Sequence, residues 1–484
     1  MSVLSFIEED NPRSLFPLES TVFFVREGET ALREYINTKI LAVAESEPDA
    51  FLTVPVCYAL KDRRHLRKLL LLDPVASFYL YDFVHRNSAA YQTPRRSDRM
   101  QFGYAFRGRK PISPSAQYHD FRRRKYALKK EYSHFAKVDI SNCFNSFYHH
   151  DVVRFLAEST SDTEGRQAGQ FLREINGGTS VNCFPQGIYP AKTVGNFYLS
   201  FIEQSRELRS PKIIRFLDDV FLFANRQSTL EKDVVILQQL LGTHSLSLNA
   251  EKTQFGSKSL DFDERKLDSV KKSLLRKREA LRGYDEEEDD EIDLEEEEKE
   301  FLEAIVSHRH VEEEDVELAL SLIDDSPAIV DLVKLVCSRF PHLIKQVHRL
   351  CGTTGYDDDG AIWTILNERI DASFLTEFEL FWIAKIILDY YTFDGTAADA
   401  LTRIVKHPCA TSVVKAVILE SRENGHGWFE LKEAQLRDSP SNITGICALA
   451  GLRHAEKSKR NHLCKYLAKT SPYMAVLGKI VSRS

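Results

Sequence analysis

Two rhythms of apolar and polar positions run along this chain. From about residue 131 to 270, short apolar runs of strand length alternate with stretches of helical spacing. Phe135-Ala-Lys-Val-Asp-Ile140 reads as a short strand that ends at an acid. A helix begins at Asp151 and runs through Leu156, with the aspartate near its N-terminus, where negative charge is favoured. Gly177-Gly178-Thr179 marks a turn. Thr193 to Leu208 has helical spacing, and residues 230 to 242 form another amphipathic helix. Between them, Lys212 to Ala224 reads as a hairpin, with apolar runs Ile213–Phe216 and Val220–Phe223 and Asp218-Asp219 at its tip. Strands alternating with helices predict an α/β or α+β sheet domain.

From about residue 300 the rhythm is helical to the end. Ile329, Leu332, Val333, Val336 and Phe340 share one face. Leu401, Ile404 and Val405 share another, followed by a break at His407-Pro408 and then Val413, Val414, Val417 and Ile418. Short paired helices broken by Pro or Gly resemble a helical-repeat stack of the HEAT type. No strict period is visible, so an irregular helical bundle is the alternative. The expected division is 1–130, 131–270 with the sheet, an acidic linker over 271–310, and an all-α part over 311–484.

With 484 residues and 43% hydrophobic content, the chain can bury a large core in two or more domains. No apolar run approaches the ~18 residues of a membrane span. The first residues carry Glu8, Glu9 and Asp10 and do not read as a secretory leader. The eight cysteines are scattered, with no Cys-x-x-Cys pair, which argues against a zinc site or disulfide framework and for a reducing, cytoplasmic setting. The net charge of −7 hides two opposite blocks. From Lys61 to Lys130 basic residues outnumber acidic ones by roughly three to one, whereas Asp285 to Glu300 is nearly all acidic. The first block predicts a polyanion-binding surface and the second a solvated strip.

The candidate chemistry lies in three carboxylates. Asp139 ends an apolar run, and Asp218-Asp219 sits at a hairpin tip, where both acids would stand at a sheet edge. Each alone is an ordinary cap or turn residue. Their surroundings carry more. Phe135-Ala-Lys-Val-Asp139-Ile-Ser-Asn-Cys-Phe144-Asn-Ser-Phe-Tyr-His-His150 resembles motif A of reverse transcriptases. Phe184-Pro-Gln-Gly-Ile-Tyr-Pro-Ala-Lys-Thr-Val-Gly-Asn196-Phe-Tyr-Leu199 resembles motif B, Arg215-Phe-Leu-Asp218-Asp219-Val-Phe-Leu-Phe223 motif C, and Leu246-x-Leu-Asn249-x-x-Lys252-Thr253 motif D. The motifs stand in the family's order, and the resemblance covers roughly residues 50 to 260. The wording of motif A, the arginine of motif C and the helical second half are most similar to bacterial abortive-infection (AbiK-like), defence-associated reverse transcriptases.

That resemblance implies an α+β right-hand polymerase, with fingers in 1–130 and a palm in 131–270, followed by the helical domain. It implies Asp139, Asp218 and Asp219 as catalytic metal ligands for two Mg²⁺ ions, with the backbone carbonyl of Ile140 as an extra ligand. Phe144 falls at the sugar-selecting position, and Gln186 and Gly187 shape the pocket under the nascent base pair. The family often has Ser where this chain has Ala191. Lys252 is placed near the leaving pyrophosphate, and Lys61 and Arg67 at the triphosphate. Arg122, Arg123, Arg124 and Lys125 would neutralise nucleic-acid backbone, with Tyr118, Phe121 and Tyr126 as core or base-stacking rings. His149-His150 is assigned a structural or backbone-contact role, because neighbouring histidines face different ways.

The implied activity is RNA-directed DNA polymerisation from dNTPs in antiphage defence, RNA-templated or untemplated. The implied partners are a noncoding RNA, a second reverse-transcriptase or effector subunit, and further copies of the chain, with no membrane. Two alternatives remain at this point: a retron or group II intron type of reverse transcriptase, and a helical-repeat scaffold subunit in which catalysis is secondary.

Overall fold

A computed structural model describes residues 1–42, 48–94, 98–181, 184–257, 270–271, 273–275, 277–278, 294–307, 311–323, 328–353 and 360–484. The Arg95-Arg96 pair and most of the acidic run, 285–293, lie outside the described residues. The chain divides into two compact units. The first comprises 1–14, 29–54 and 72–266; the second comprises 15–28, 55–71 and 267–484.

In chain order the strands are β1 (Val56–Leu60), β2 (Leu66–Leu70), β3 (Arg99–Phe102), β4 (Phe106–Arg107), β5 (Lys110–Pro111), β6 (His134–Asp139), β7 (Lys212–Phe216), β8 (Asp219–Ala224) and β9 (Gln254–Ser257). The helices up to the end of motif D are α1 (Val3–Asp10), α2 (Glu19–Tyr35), α3 (Pro74–Arg86), α4 (Pro114–Glu131), α5 (Cys143–Ser146), α6 (His149–Ser159), α7 (Asp162–Ile175), α8 (Tyr189–Tyr198), α9 (Phe201–Gln204) and α10 (Gln227–Gly242).

The first unit is built on a five-stranded sheet in the order β3-β7-β8-β6-β9. Only β3 and β7 run parallel; the other pairs are antiparallel. Alternation sorts the strand residues onto two faces. Phe135, Lys137 and Asp139 share a face with Asp219, Phe221 and Phe223 through the β6–β8 register. Phe121 and Leu128 of α4 pack there with Phe102, Ile214, Phe221 and Phe223. On the opposite side Ala136, Val138, Val220 and Leu222 are fully buried. The region expected as one helix over 193–208 is two, α8 and α9. The first starts earlier, with Pro190 in its first turn, a position that needs no N–H donor.

The second unit contains the β1–β2 hairpin and the helices that follow residue 296. Those helices alternate between two rows. Glu313–Leu322, Ile344–Thr353, Glu377–Tyr390, Ser412–Leu419 and Ile443–Gly451 pack successively on one another, and Glu296–Ser307, Ala328–Arg339, Ala361–Ile370 and Gly395–Lys406 do the same. Each of these nine helices therefore packs on a second neighbour in sequence. Glu296–Ser307 lies within the segment expected to be acidic linker.

Glu420 ties α2 into this unit. Its carboxylate accepts the backbone N–H groups of Glu19 at 2.9 Å and Ser20 at 2.8 Å, capping the helix. Burial and then the charge of Glu19 push the Glu420 carboxyl up to about 7. Between roughly pH 4.5 and 7 the folded chain thus holds a proton that the unfolded chain has lost. The associated stability is complete below the unfolded value and disappears as pH rises through about 7. Denaturant titration of the second unit's unfolding should lose about 2–3 kcal/mol between pH 5 and pH 8, and Glu420→Gln should flatten that slope. A flat wild-type profile refutes this.

Candidate active site

The sheet register brings two of the three acids together, Asp139 and Asp219. Asp139, the last residue of β6, lies directly opposite Asp219, the first residue of β8. Phe216 pairs with Asp219, so Leu217 and Asp218 form a two-residue hairpin loop. Ile140 donates its N–H to the Asp218 carbonyl at 3.3 Å, which fastens the loop to the end of β6. On the other side of β6, Asn249 donates its N–H to the Asp139 carbonyl at 2.8 Å, and Ile140 bridges Leu248. The end of β6 is thus held between the motif C hairpin and the motif D segment.

Cations surround the carboxylates. Lys252 Nζ lies 3.5 Å from Asp139 Oδ2, and Lys137 Nζ lies 3.9 Å from Asp219 Oδ1. Asn249 Nδ2 donates to Asp139 Oδ2 at 3.4 Å. Burial raises the Asp219 carboxyl above its usual range, Lys137 opposes this, and Asp139 adds to it. Asp219 is therefore charged against the pull of its burial, and a cation relieves that. All the donors are hard oxygens, which suits a divalent ion such as Mg²⁺. Among the described residues no group of three or more His, Cys, Asp or Glu stands close enough to enclose a metal. Asp139 and Asp219 alone would leave a bound ion open to further oxygen ligands.

The hairpin turn is strained and braced. Leu217 has φ +55°, a left-handed conformation costly for a side chain of this size. Its carbonyl accepts from Arg215 Nη1 at 2.9 Å. Arg215 is fully buried, and all five of its N–H groups are used. Nε and Nη2 grip Glu203 at 2.7 and 2.9 Å; Nη1 also reaches Asn196 Oδ1 and Nη2 the Asn196 carbonyl, both at 2.9 Å. Asn196 Nδ2 in turn donates to the Phe102 carbonyl at 3.1 Å. One guanidinium thereby joins β7, α8 and α9 to the turn carrying Asp218.

The motif B turn is fixed from both sides. Gly187 has φ +111°, which only glycine adopts without strain. Gln186 Nε2 donates to Asn145 Oδ1 at 3.0 Å, linking the turn to motif A. Asp10 accepts the first N–H of α8, from Tyr189, at 2.6 Å and the Tyr81 hydroxyl at 2.5 Å. Phe144 packs with Phe147 and Phe184 and lies against α8 at Gly195. A Cβ on Gly195 would stand 2.5 Å from a Phe144 ring carbon, so this glycine sets how far the ring recedes. Ala191 is fully buried.

The remaining expected residues are dispersed. On α4, Arg122 and Arg123 are exposed, while Arg124 and Lys125 are half-buried. Lys125 Nζ lies 5.3 Å from the Phe221 ring centroid. Tyr118 and Tyr126 are exposed, whereas Phe121 is core. His149 is buried with Nε2 on the Gly169 carbonyl at 3.0 Å, and His150 is exposed. Lys61 and Arg67 are exposed on the β1–β2 hairpin, which belongs to the second unit. Lys137, Asn249, Arg215 and Gly195 were not singled out from the sequence for a site role. Lys137 had a signal, since it lies two residues before Asp139 and period two puts both on one face.

Residues 77–273 match the family model described as reverse transcriptase (RNA-dependent DNA polymerase). Over this stretch the chain is similar to reverse transcriptases. No curated protein matches. Among solved structures, the telomerase of Candida albicans, in complex with a TWJ fragment of telomeric RNA, is similar over 78% of this chain and 69% of its own, at 10% identity and a TM-score of 0.28.

Proposed function

We propose that this protein is an RNA-directed DNA polymerase that adds dNTPs by two-metal nucleotidyl transfer on Asp139, Asp218 and Asp219. The observation that carries the reading is the cross-strand pairing of Asp139 with Asp219 beside the Leu217-Asp218 turn. Bound Mg²⁺ would supply charge stabilisation for the attacking and leaving oxygens, and the backbone of Ile140 stands at the same edge. Lys252, 3.5 Å from Asp139, would meet the leaving pyrophosphate. Lys137 offsets the effect of burial on Asp219, a charge balance that a bound divalent ion would also supply. Gln186 and Gly187 form the floor of the base-pair pocket, and Lys61 and Arg67 remain the triphosphate contacts of a fingers hairpin. Arg122 to Lys125 on α4 serve a nucleic-acid backbone.

The helical half is read as a HEAT-like stack, and the whole as a palm and fingers with a helical appendage acting in antiphage defence. A noncoding RNA, further copies of the chain or an effector subunit are its partners, in the cytoplasm. Among the described residues no helix is long and apolar enough to cross a membrane. The test is incorporation of each labelled dNTP and NTP by purified protein with Mg²⁺, with and without co-purifying RNA. Absence of incorporation under every condition moves the scaffold reading ahead.

Phe144 provides a sharper check of substrate. Its ring, backed by Gly195, excludes a 2′-hydroxyl. Phe144→Ala is expected to lower the dNTP over rNTP preference by about tenfold to a hundredfold, the range for one steric contact in a pocket. Gly195→Ala pushes the ring forward, so dNTP kcat/KM should fall while rNTP use stays low. Unchanged selectivity in Phe144→Ala removes the ring from the sugar site.

A further inference from the structure

A cavity of about 660 Å³ opens at the far end of β7 from the carboxylates, between Asp98-Arg99 and the segment from Gln204 to Pro211. We propose that it binds the phosphodiester backbone of a nucleic-acid strand remote from the active centre; the choice of a strand rests on the polymerase reading, whereas the anion chemistry stands without it.

The charge points to an anion. Three guanidinium groups line the cavity against one carboxylate, Asp98. That carboxylate already faces Arg99, whose Nε lies 4.0 Å from Asp98 Oδ2. Arg206 and Arg209 are exposed and reach a ligand without desolvation cost. Arginine offers two parallel N–H donors to adjacent phosphate oxygens. Gln204 and Ser205 add neutral polar groups.

The wall is built in advance of any ligand. Asp233 of α10, fully buried, accepts the Arg209 N–H at 2.9 and 3.0 Å, and both the N–H and the hydroxyl of Ser210 at 2.6 Å. Arg99 Nη2 donates to the Leu208 carbonyl at 2.8 Å. The loop carrying Arg206 and Arg209, which leads from α9 to β7, is therefore pinned to β3 and to α10. A preformed surface loses little ordering entropy on binding.

The lining decides which part of a nucleic acid fits. Leu208 and Pro211 are its apolar members, and no aromatic ring is present on which a base could stack. The cavity reads phosphate rather than sequence. From Lys212 to Phe216 the strand spans ~13 Å at roughly 3.3 Å per residue, and the acidic turn lies beyond that end. A strand held here lies outside the reacting centre.

The experiment measures anisotropy of a fluorescent single-stranded 20-mer against the full chain over a salt series. The variants are Arg206→Gln with Arg209→Gln, and a control of equal charge loss on α7, Arg166→Gln with Arg173→Gln. Counterion release contributes ~0.7 to the salt slope per phosphate contact on a single strand. The pocket pair should therefore lower the slope by about 1.4, and the control pair should leave it unchanged. Equal slopes in all three proteins, or equal losses in both pairs, overturn the proposal. Complete reversal of the difference by a few millimolar inorganic phosphate assigns the cavity to free anions and also overturns it. A parallel dNTP incorporation assay keeps the two readings apart. Activity with an unchanged pocket slope sinks the pocket alone, and a pocket-dependent slope in an inactive protein sinks the polymerase reading alone.

Discussion

Asparagine at Asp139 or Asp219 is expected to reduce nucleotide incorporation by about a thousandfold or more without weakening the fold. The rate loss follows from the charge that these groups bring to a metal-dependent displacement. Removing ~4 kcal/mol of transition-state stabilisation is a factor of about a thousand. The stability expectation follows from the geometry. The β6–β8 register is held by backbone bonds that the change leaves alone. Asp219 is raised by burial and by Asp139, so a neutral amide there removes a repulsion. Asp219→Asn should therefore unfold at the same denaturant concentration as the wild type or a higher one, while turnover vanishes. A stabilised but inactive variant is the signature of a site that sacrifices stability for charge. Incorporation within threefold of wild type in either variant sinks the catalytic assignment. The measurement pairs denaturant midpoints with single-turnover rates, so a loss of activity through unfolding is recognised at once.

How much of this was readable beforehand depended on the range of the interactions. The motif C hairpin was legible because two apolar runs flank an acidic tip; the tip itself shifts by one residue, since Asp219 is the first residue of β8 and the turn is Leu217-Asp218. The strand ending at Asp139 was legible for the same reason. The partners of those acids were less so. Asn249 reaches Asp139 because Leu248 bridges Ile140, a contact across more than a hundred residues that no local pattern carries. Helix α4 escaped notice because only Phe121 and Leu128 are buried along it, too few to impose a clear apolar stripe. The β1–β2 hairpin shows a different limit. It precedes the motifs in sequence, yet its Tyr58 N–H is accepted by Glu377, so chain order alone did not predict its unit.

Arg215 is the residue whose loss should cost most in the fold itself. It stands between apolar neighbours on β7, on the side of the sheet opposite Ile214 and Phe216, where the pattern alone expects another apolar residue. Arg215→Met removes the guanidinium and leaves Glu203, itself buried, without its cationic partner. Breaking one side of a buried ion pair costs about 3–5 kcal/mol, and the first unit should lose that amount in denaturant unfolding. Replacing both partners, Arg215→Met with Glu203→Leu, removes the uncompensated charge and should recover most of the lost stability, since apolar pairs often substitute for buried ion pairs without net cost. Turnover should not recover. The Leu217 carbonyl and Asn196 lose their donors in the double variant as in the single one, and Leu217 is then free to leave φ +55°. The turn carrying Asp218 would relax, and kcat should stay depressed while KM for dNTP changes less. A double variant that regains both stability and turnover would show that Arg215 only fills space. One that regains stability alone establishes the guanidinium as the brace that holds the acidic turn in its working shape.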